Sequence, residues 1–188
     1  SSAASDVYKR QGYYLAKFLS KNEAMLDPLA STNAQHYYPI LRKAEVFLNY
    51  AEAANEAWGP KGKDPDGICK FTAYQVIKTI RQTSGGITDT KYLDEMAASK
   101  ESFRILIQNE RRLELAFENQ RYYDMRRCLL PLNEAVKGVL VTKEGDDLIY
   151  TFQKVEDRKF DGIRYYYSPL PYYECVKNPN LVNNLGWK

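Results

Sequence analysis

The chain holds one histidine, three cysteines and no run of Lys and Arg longer than two residues. Each scarcity removes a class of function. His36 stands beside Tyr37 and Tyr38 with no Cys or Asp in register, so it reads as an exposed loop residue, not a general base. Cys69, Cys128 and Cys175 are far apart and odd in number. They make neither a zinc spacing nor a disulfide framework, and are expected to be free and partly buried. A net charge of +3, from 27 basic against 24 acidic residues, is too weak to imply nucleic acid. No apolar run approaches the roughly 20 residues that span a membrane, and the opening SSAASDVYKR lacks a charged-then-apolar leader. That leaves a cytosolic protein or a mature or truncated piece. There is no phosphate-cradling Gly loop, nucleophile elbow or metal-ligand set. No cofactor and no metal is expected.

What is present is an ordinary globular composition in a length of 188 residues, enough for one domain with a sizeable core. Tyrosine is the outlier at 16 copies. It offers flat, rigid contact area with a polar tip and suits binding surfaces as well as cores. Tyr13-Tyr14, Tyr37-Tyr38, Tyr165-Tyr166-Tyr167 and Tyr172-Tyr173 could stack on sugar rings. In adjacent pairs one ring faces in and the other out, so none of them names a ligand site.

Residues 1–39 are punctuated by Asn, Ser and Pro, with one short helix near Gly12 to Ser20. A helix follows from Ile40 to Trp58, with Leu41, Ala44, Leu48, Ala51 and Asn55 in one stripe. Gly59-Pro60 stops it. Asp64-Pro65-Asp66-Gly67 lacks the third ligand and closing Glu of a calcium loop, so it is a turn and helix cap. A second helix runs from Ile68 to Thr83, with Phe71, Tyr74, Lys78 and Arg81 on one face. A short one spans Lys91 to Ala98, capped by Thr88 or Asp89, and Ser99 caps the long helix beyond. Asn119 is the expected break, and Gln120 to Leu129 a partner helix with Tyr122, Met125 and Leu129 facing in. After Pro131, Val139–Val141 and Leu148–Phe152 around the Glu144–Asp147 turn read as a hairpin. Ile163 to Tyr167 reads as another extended piece, and the Pro/Asn-rich end as ordered coil. The fold class is all-α: tetratricopeptide-like helical hairpins with a small β-hairpin and a long C-terminal coil. Two such hairpins are fewer than an array needs, so neighbouring units are expected outside this chain.

The stretch from Ser102 to Leu129 carries a contradiction. At about 100° per residue, Phe103, Leu106, Ile107 and Phe117 share a stripe, and Glu110 and Glu114 fall in its middle. A lone buried charge costs too much to tolerate, so these carboxylates need partners. The nearest are Arg111, Arg112, Arg121, Arg126 and Arg127. Glu45 and Glu52 repeat the oddity on the first helix and could meet Arg81, Lys78 or the 111–127 arginines. A glycosidase pair drawn from Glu110, Glu114, Glu118 and Asp124 is the rival reading. It fails because Glu110 and Glu114 lie one turn apart on one helix among arginines that depress a carboxyl pKa, the opposite of what a catalytic acid needs. The expected site is therefore a structural ion-pair network of Glu45, Glu52, Arg81, Glu110, Arg111, Arg112, Glu114, Glu118, Arg121, Asp124, Arg126 and Arg127, with no catalytic residue.

These residues also carry a resemblance. Pro39 to Ala53, with its Arg42, Ala44-Glu45 and Tyr50-Ala51-Glu52-Ala53, resembles the "RxAEvlLxYAEA" helix of the SusD/RagB family. Asn109 to Glu118, with Arg121, Asp124 and Arg126-Arg127, is similar to that family's "ERRxELAFEGxRxxDLRR". Leu170-Pro171, Glu174, Asn178-Pro179 and Asn183 to Trp187 resemble its "PIPxxE…NPxLxQNPGY" ending. The order is the family's, across about residues 37–188. Asn119 replaces a glycine, Cys128 a tryptophan and Lys78 an asparagine, and the ending has become NNLGW. The resemblance implies an all-helical, non-enzymatic, glycan- or nutrient-binding lipoprotein on the outer face of a Bacteroidetes outer membrane. It implies delivery of oligosaccharide or peptide to a SusC-like TonB-dependent transporter. The lipidated cysteine and much of the ligand surface belong to preceding segments. Residues 1–39 are then a lead-in continuing a missing N-terminal part, and 40–188 the C-terminal domain. No ligand-binding residue is implied. A helical-repeat interaction module with no sugar binding is the alternative.

Overall fold

The computed structural model describes residues 17–18, 37–160 and 162–187. Apart from Lys17 and Phe18, the helix expected near Gly12 to Ser20 lies outside the described residues, as do His36 and Tyr13-Tyr14. The helices are α1 Lys43–Trp58, α2 Ala73–Thr83, α3 Lys91–Met96, α4 Lys100–Glu114, α5 Gln120–Arg127 and α6 Tyr172–Lys177. Strands β1, Val136–Glu144, and β2, Asp147–Glu156, form a two-stranded antiparallel sheet. The fold is helix-rich with this one small sheet among the described residues. Contacts gather the described residues into two units, 37–124, and 125–187 with 17–18.

In the first unit, local chemistry fixes where helices start. Thr72 opens α2 with a capping box. The Gln75 N–H donates to Thr72 Oγ1 at 3.2 Å, and the Thr72 N–H donates to Gln75 Oε1 at 2.9 Å. The helix therefore begins at Ala73, five residues after the expected Ile68, and leaves Ile68 and Phe71 exposed. Ser99 caps α4 as expected, exchanging bonds of 3.1 and 3.2 Å with Ser102. Asp89 Oδ1 accepts from the Lys91 N–H at 2.9 Å ahead of α3. At Asp64, Oδ1 accepts from the Asp66 N–H and Oδ2 from the Cys69 N–H, so the loop is a self-bonded turn.

The core draws Leu48, Ala51 and Ala54 from α1, Ala73, Val76, Ile77 and Ile80 from α2, and Leu93 from α3. Phe103, Leu106 and Ile107 from α4 join them, with Leu115 just beyond. α1 lies against both α2 and α4. The expected α1 stripe holds at Leu48, Ala51 and Asn55, but Leu41 precedes the helix and is exposed. The α4 stripe ends earlier than its spacing implied. The helix stops at Glu114, and Phe117 and Asn119 adopt φ of +64° and +62°. This left-handed turn swings Phe117 out of the stripe to 60% exposure.

On α5, Met125 is buried, while Tyr122 and Leu129 are exposed instead of facing in. Leu129 lies past the helix at φ +50°. The hairpin is longer than expected and in continuous register from Lys137↔Lys154 to Glu144↔Asp147, with an irregularity at Val136. Ile163–Tyr166 is a 3₁₀ turn, not a strand. The two strands described pair only with each other, so this segment bonds to itself. The Tyr167 N–H donates to Arg164 O at 3.2 Å, and the Trp187 indole N–H bridges Arg164 O and Tyr167 O at 3.2 and 2.9 Å. Pro171 opens α6 inside the expected coil.

Candidate functional site

The charged cluster is assembled from four helices and the segments flanking them. Arg111, on the inner side of α4, is buried with Asp124 of α5. Its Nε donates to Asp124 Oδ2 at 3.0 Å, and its Nη1 to Asn49 Oδ1 of α1 at 2.6 Å. Glu110, in the apolar stripe, accepts from Arg81 of α2. Arg42, ahead of α1, is the widest clamp. Its Nε and Nη2 donate to the Glu118 carboxylate at 2.8–3.0 Å. Its Nη1 and Nη2 donate to Glu114 Oε1 at 3.0 Å, and Nη2 also to Glu114 O at 2.8 Å. The Tyr38 hydroxyl donates to Phe117 O at 3.3 Å. The left-handed turn is thus held from the segment that precedes α1. Bonds to Glu118 first, with Glu114, raise the Arg42 pKa further.

This pairing differs in part from the sequence expectation. Glu110 takes Arg81 from another helix, not an arginine of its own segment. Glu45 and Arg112 form no ion pair among the described residues, and Arg112 is exposed. Helix periodicity explains Arg112: it is one step round from the inward Arg111. Glu52, Arg121 and Arg126 are half-buried, and Arg127 is exposed. Arg42 was missed as a member, although it stands in the first quoted motif; a residue ahead of a helix lies on no helical stripe. A second, half-exposed ion pair joins Arg104 to both Glu56 oxygens at 2.6 and 2.7 Å. The Arg104 guanidinium holds the Glu56 carboxyl below its ordinary range. The Asp94 carboxyl is lowered chiefly by the Tyr74 hydroxyl, which donates to it at 2.8 Å.

These groups brace helices. A glycosidase acid must present a proton to a substrate oxygen, whereas Glu110 is buried with its Oε1 bonded to Arg81. Among the described residues no group of three His, Cys, Asp or Glu side chains is placed to hold a metal ion. No described helix is long and apolar enough to cross a membrane. Cys69, Cys128 and Cys175 are half-buried, and none of the three is in a disulfide. A pocket of about 140 Å³ opens between α1 and α2, lined by Phe47, Phe71, Gln75, Val76, Thr79 and Ile80. Its apolar wall offers shape and no charged anchor. Tyr172 and Tyr173 meet edge to face at 5.8 Å, both largely exposed. Among the described residues they are the most exposed of the adjacent tyrosine pairs.

Comparison with known proteins agrees with the quoted motifs. The model of the SusD family matches residues 2–187. SusD-like protein P2 of Formosa agariphila is 31% identical over 161 residues, covering 84% of this chain and 26% of that protein. The crystal structure of a SusD-like protein from Bacteroides fragilis matches with a TM-score of 0.58 at 33% identity, covering 81% of this chain and 26% of that one. The chain thus spans about a quarter of the length of the relatives it matches.

Proposed function

Because this chain belongs to the SusD family, we propose that it is the C-terminal part of a cell-surface protein that binds glycans or other nutrients. In this reading the full-length protein is lipid-anchored at the outer membrane and delivers oligosaccharide or peptide to a SusC-like TonB-dependent transporter. It is a binding protein without catalysis or cofactor. The observation that carries the reading is the family match across residues 2–187. The architecture supports it: the carboxylates that could imitate a hydrolase pair are tied to guanidinium groups. The helical pairs α1–α2 and α4–α5 are read as tetratricopeptide-like hairpins whose array continues outside this chain. The ion-pair network is their brace, and the ligand site lies elsewhere.

Calorimetry of the full-length protein against a panel of oligosaccharides and peptides tests this. Saturable binding of at least one class, with the ligand recovered unhydrolysed, is expected. Hydrolysis of a bound sugar would overturn the non-enzymatic reading. Capture of the transporter without affinity for any ligand would favour a docking module instead.

A further inference from the structure

The β1–β2 hairpin presents two unlike faces. Residues paired across an antiparallel ladder share a face, and successive residues alternate. Lys137, Val139, Val141 and Lys143 therefore share one face with Lys154, Phe152, Tyr150 and Leu148. Its middle is wholly apolar and its ends carry lysines. Phe152 is 70% exposed and Tyr150 59%, and Val141 and Leu148 are also bare. The other face mixes Leu140 and Ile149 with Gly138, Thr142, Thr151, Gln153 and the acidic tip Glu144 and Asp147. A contiguous apolar patch on a soluble surface marks a contact site. An isolated two-stranded sheet is also marginal in water and needs packing on one face. Val139 on the apolar face is half-buried, and Val141, Leu148, Tyr150 and Phe152 are exposed.

We propose that the Val139–Val141–Leu148–Tyr150–Phe152 face is the seat on which the remainder of the full-length polypeptide, beyond this chain, packs. The inference rests on reading this chain as part of a longer protein. About three quarters of the length of its relatives lies outside it, which is ample polypeptide to cover one hairpin face. Lys137 and Lys143 flank the apolar centre, so the covering segment is apolar with acidic side chains or free carbonyls at its margins. Lys154 already meets Asp157 at 2.9 Å.

The test compares neighbours that differ only in face. Tyr150→Cys and Thr151→Cys are made in the full-length protein and labelled with a maleimide, with each modified peptide quantified by mass so that the native cysteines do not interfere. Cysteine at 150 is expected to react at least about tenfold more slowly than at 151. Val141→Cys and Thr142→Cys repeat the comparison on the other strand should Tyr150→Cys fail to fold. Equal rates at 150 and 151 in the folded protein overturn the proposal. So does protection that disappears on dilution to a monomer, which makes a second copy the cover. So does protection that arises only with anionic lipid vesicles or with the transporter added. The readout needs no ligand, so an absence of glycan binding leaves it intact and bears only on the proposed function.

Discussion

The costliest single side chains to remove are those that leave a buried charge behind. Arg111 and Asp124 are almost wholly buried. Breaking such a pair from one side costs about 3 kcal/mol or more, so Arg111→Ala should lower stability in urea by that order. Arg42 is more exposed, but it holds the half-buried Glu114 and the buried carboxylate of Glu118. Arg42→Ala should cost about 2 kcal/mol, and Arg42→Lys should recover only part because an ammonium cannot make the forked contact. Glu56 gives a pH dependence. Its folded pKa lies below the ordinary 4.5, so its contribution is present above that value and fades as pH falls through the folded one. The pair is half-exposed and screened by solvent, so the effect is small. Comparing acid unfolding of the parent and Glu56→Gln should show the parent's advantage at pH 6 shrinking below pH ~4. What the sequence showed at this scale was that Glu110 needed a partner; which partner was hidden. Arg81 lies far along the chain, and nothing in a stripe says which of several arginines the fold brings within reach.

At the scale of elements, starts were more legible than stops. Ser99 followed by Ser102 announces a helix, and so does Thr72 followed by Gln75, although the apolar Ile68 and Phe71 drew the expected boundary too early. Ser99→Ala and Thr72→Ala should each cost about 1 kcal/mol, read as a lowered midpoint of thermal unfolding. The stop of α4 was misplaced because Phe117 keeps the apolar spacing while its backbone is left-handed. Phe117→Val should destabilise by about 1–2 kcal/mol, since a β-branched residue tolerates that conformation least. Asn119→Gly should stay within about 0.5 kcal/mol of the parent. The 3₁₀ turn at Ile163–Tyr166 escaped notice for a similar reason: three tyrosines read as strand unless no strand lies beside them.

For the whole molecule, the family is carried by scaffold residues, and the described side chains do not name a ligand. Hence three motifs were enough to recognise the family, and the tyrosine pairs were not enough to name a sugar. Tyr150→Lys with Phe152→Lys should raise the concentration at which this chain alone stays monodisperse by light scattering, and should destabilise the full-length protein. The Arg111–Asp124–Asn49 contact carries one more consequence. Asp124 reaches Arg111 only after the backbone has turned at Phe117 and Asn119, and Asn49 only once α1 is seated. Until both arrive, a guanidinium sits in an apolar interior without its counter-ion. The amides of mid-α1, late α4 and early α5 should therefore lose hydrogen-exchange protection together, as one opening event, in the parent. In Arg111→Met they should separate into independent openings.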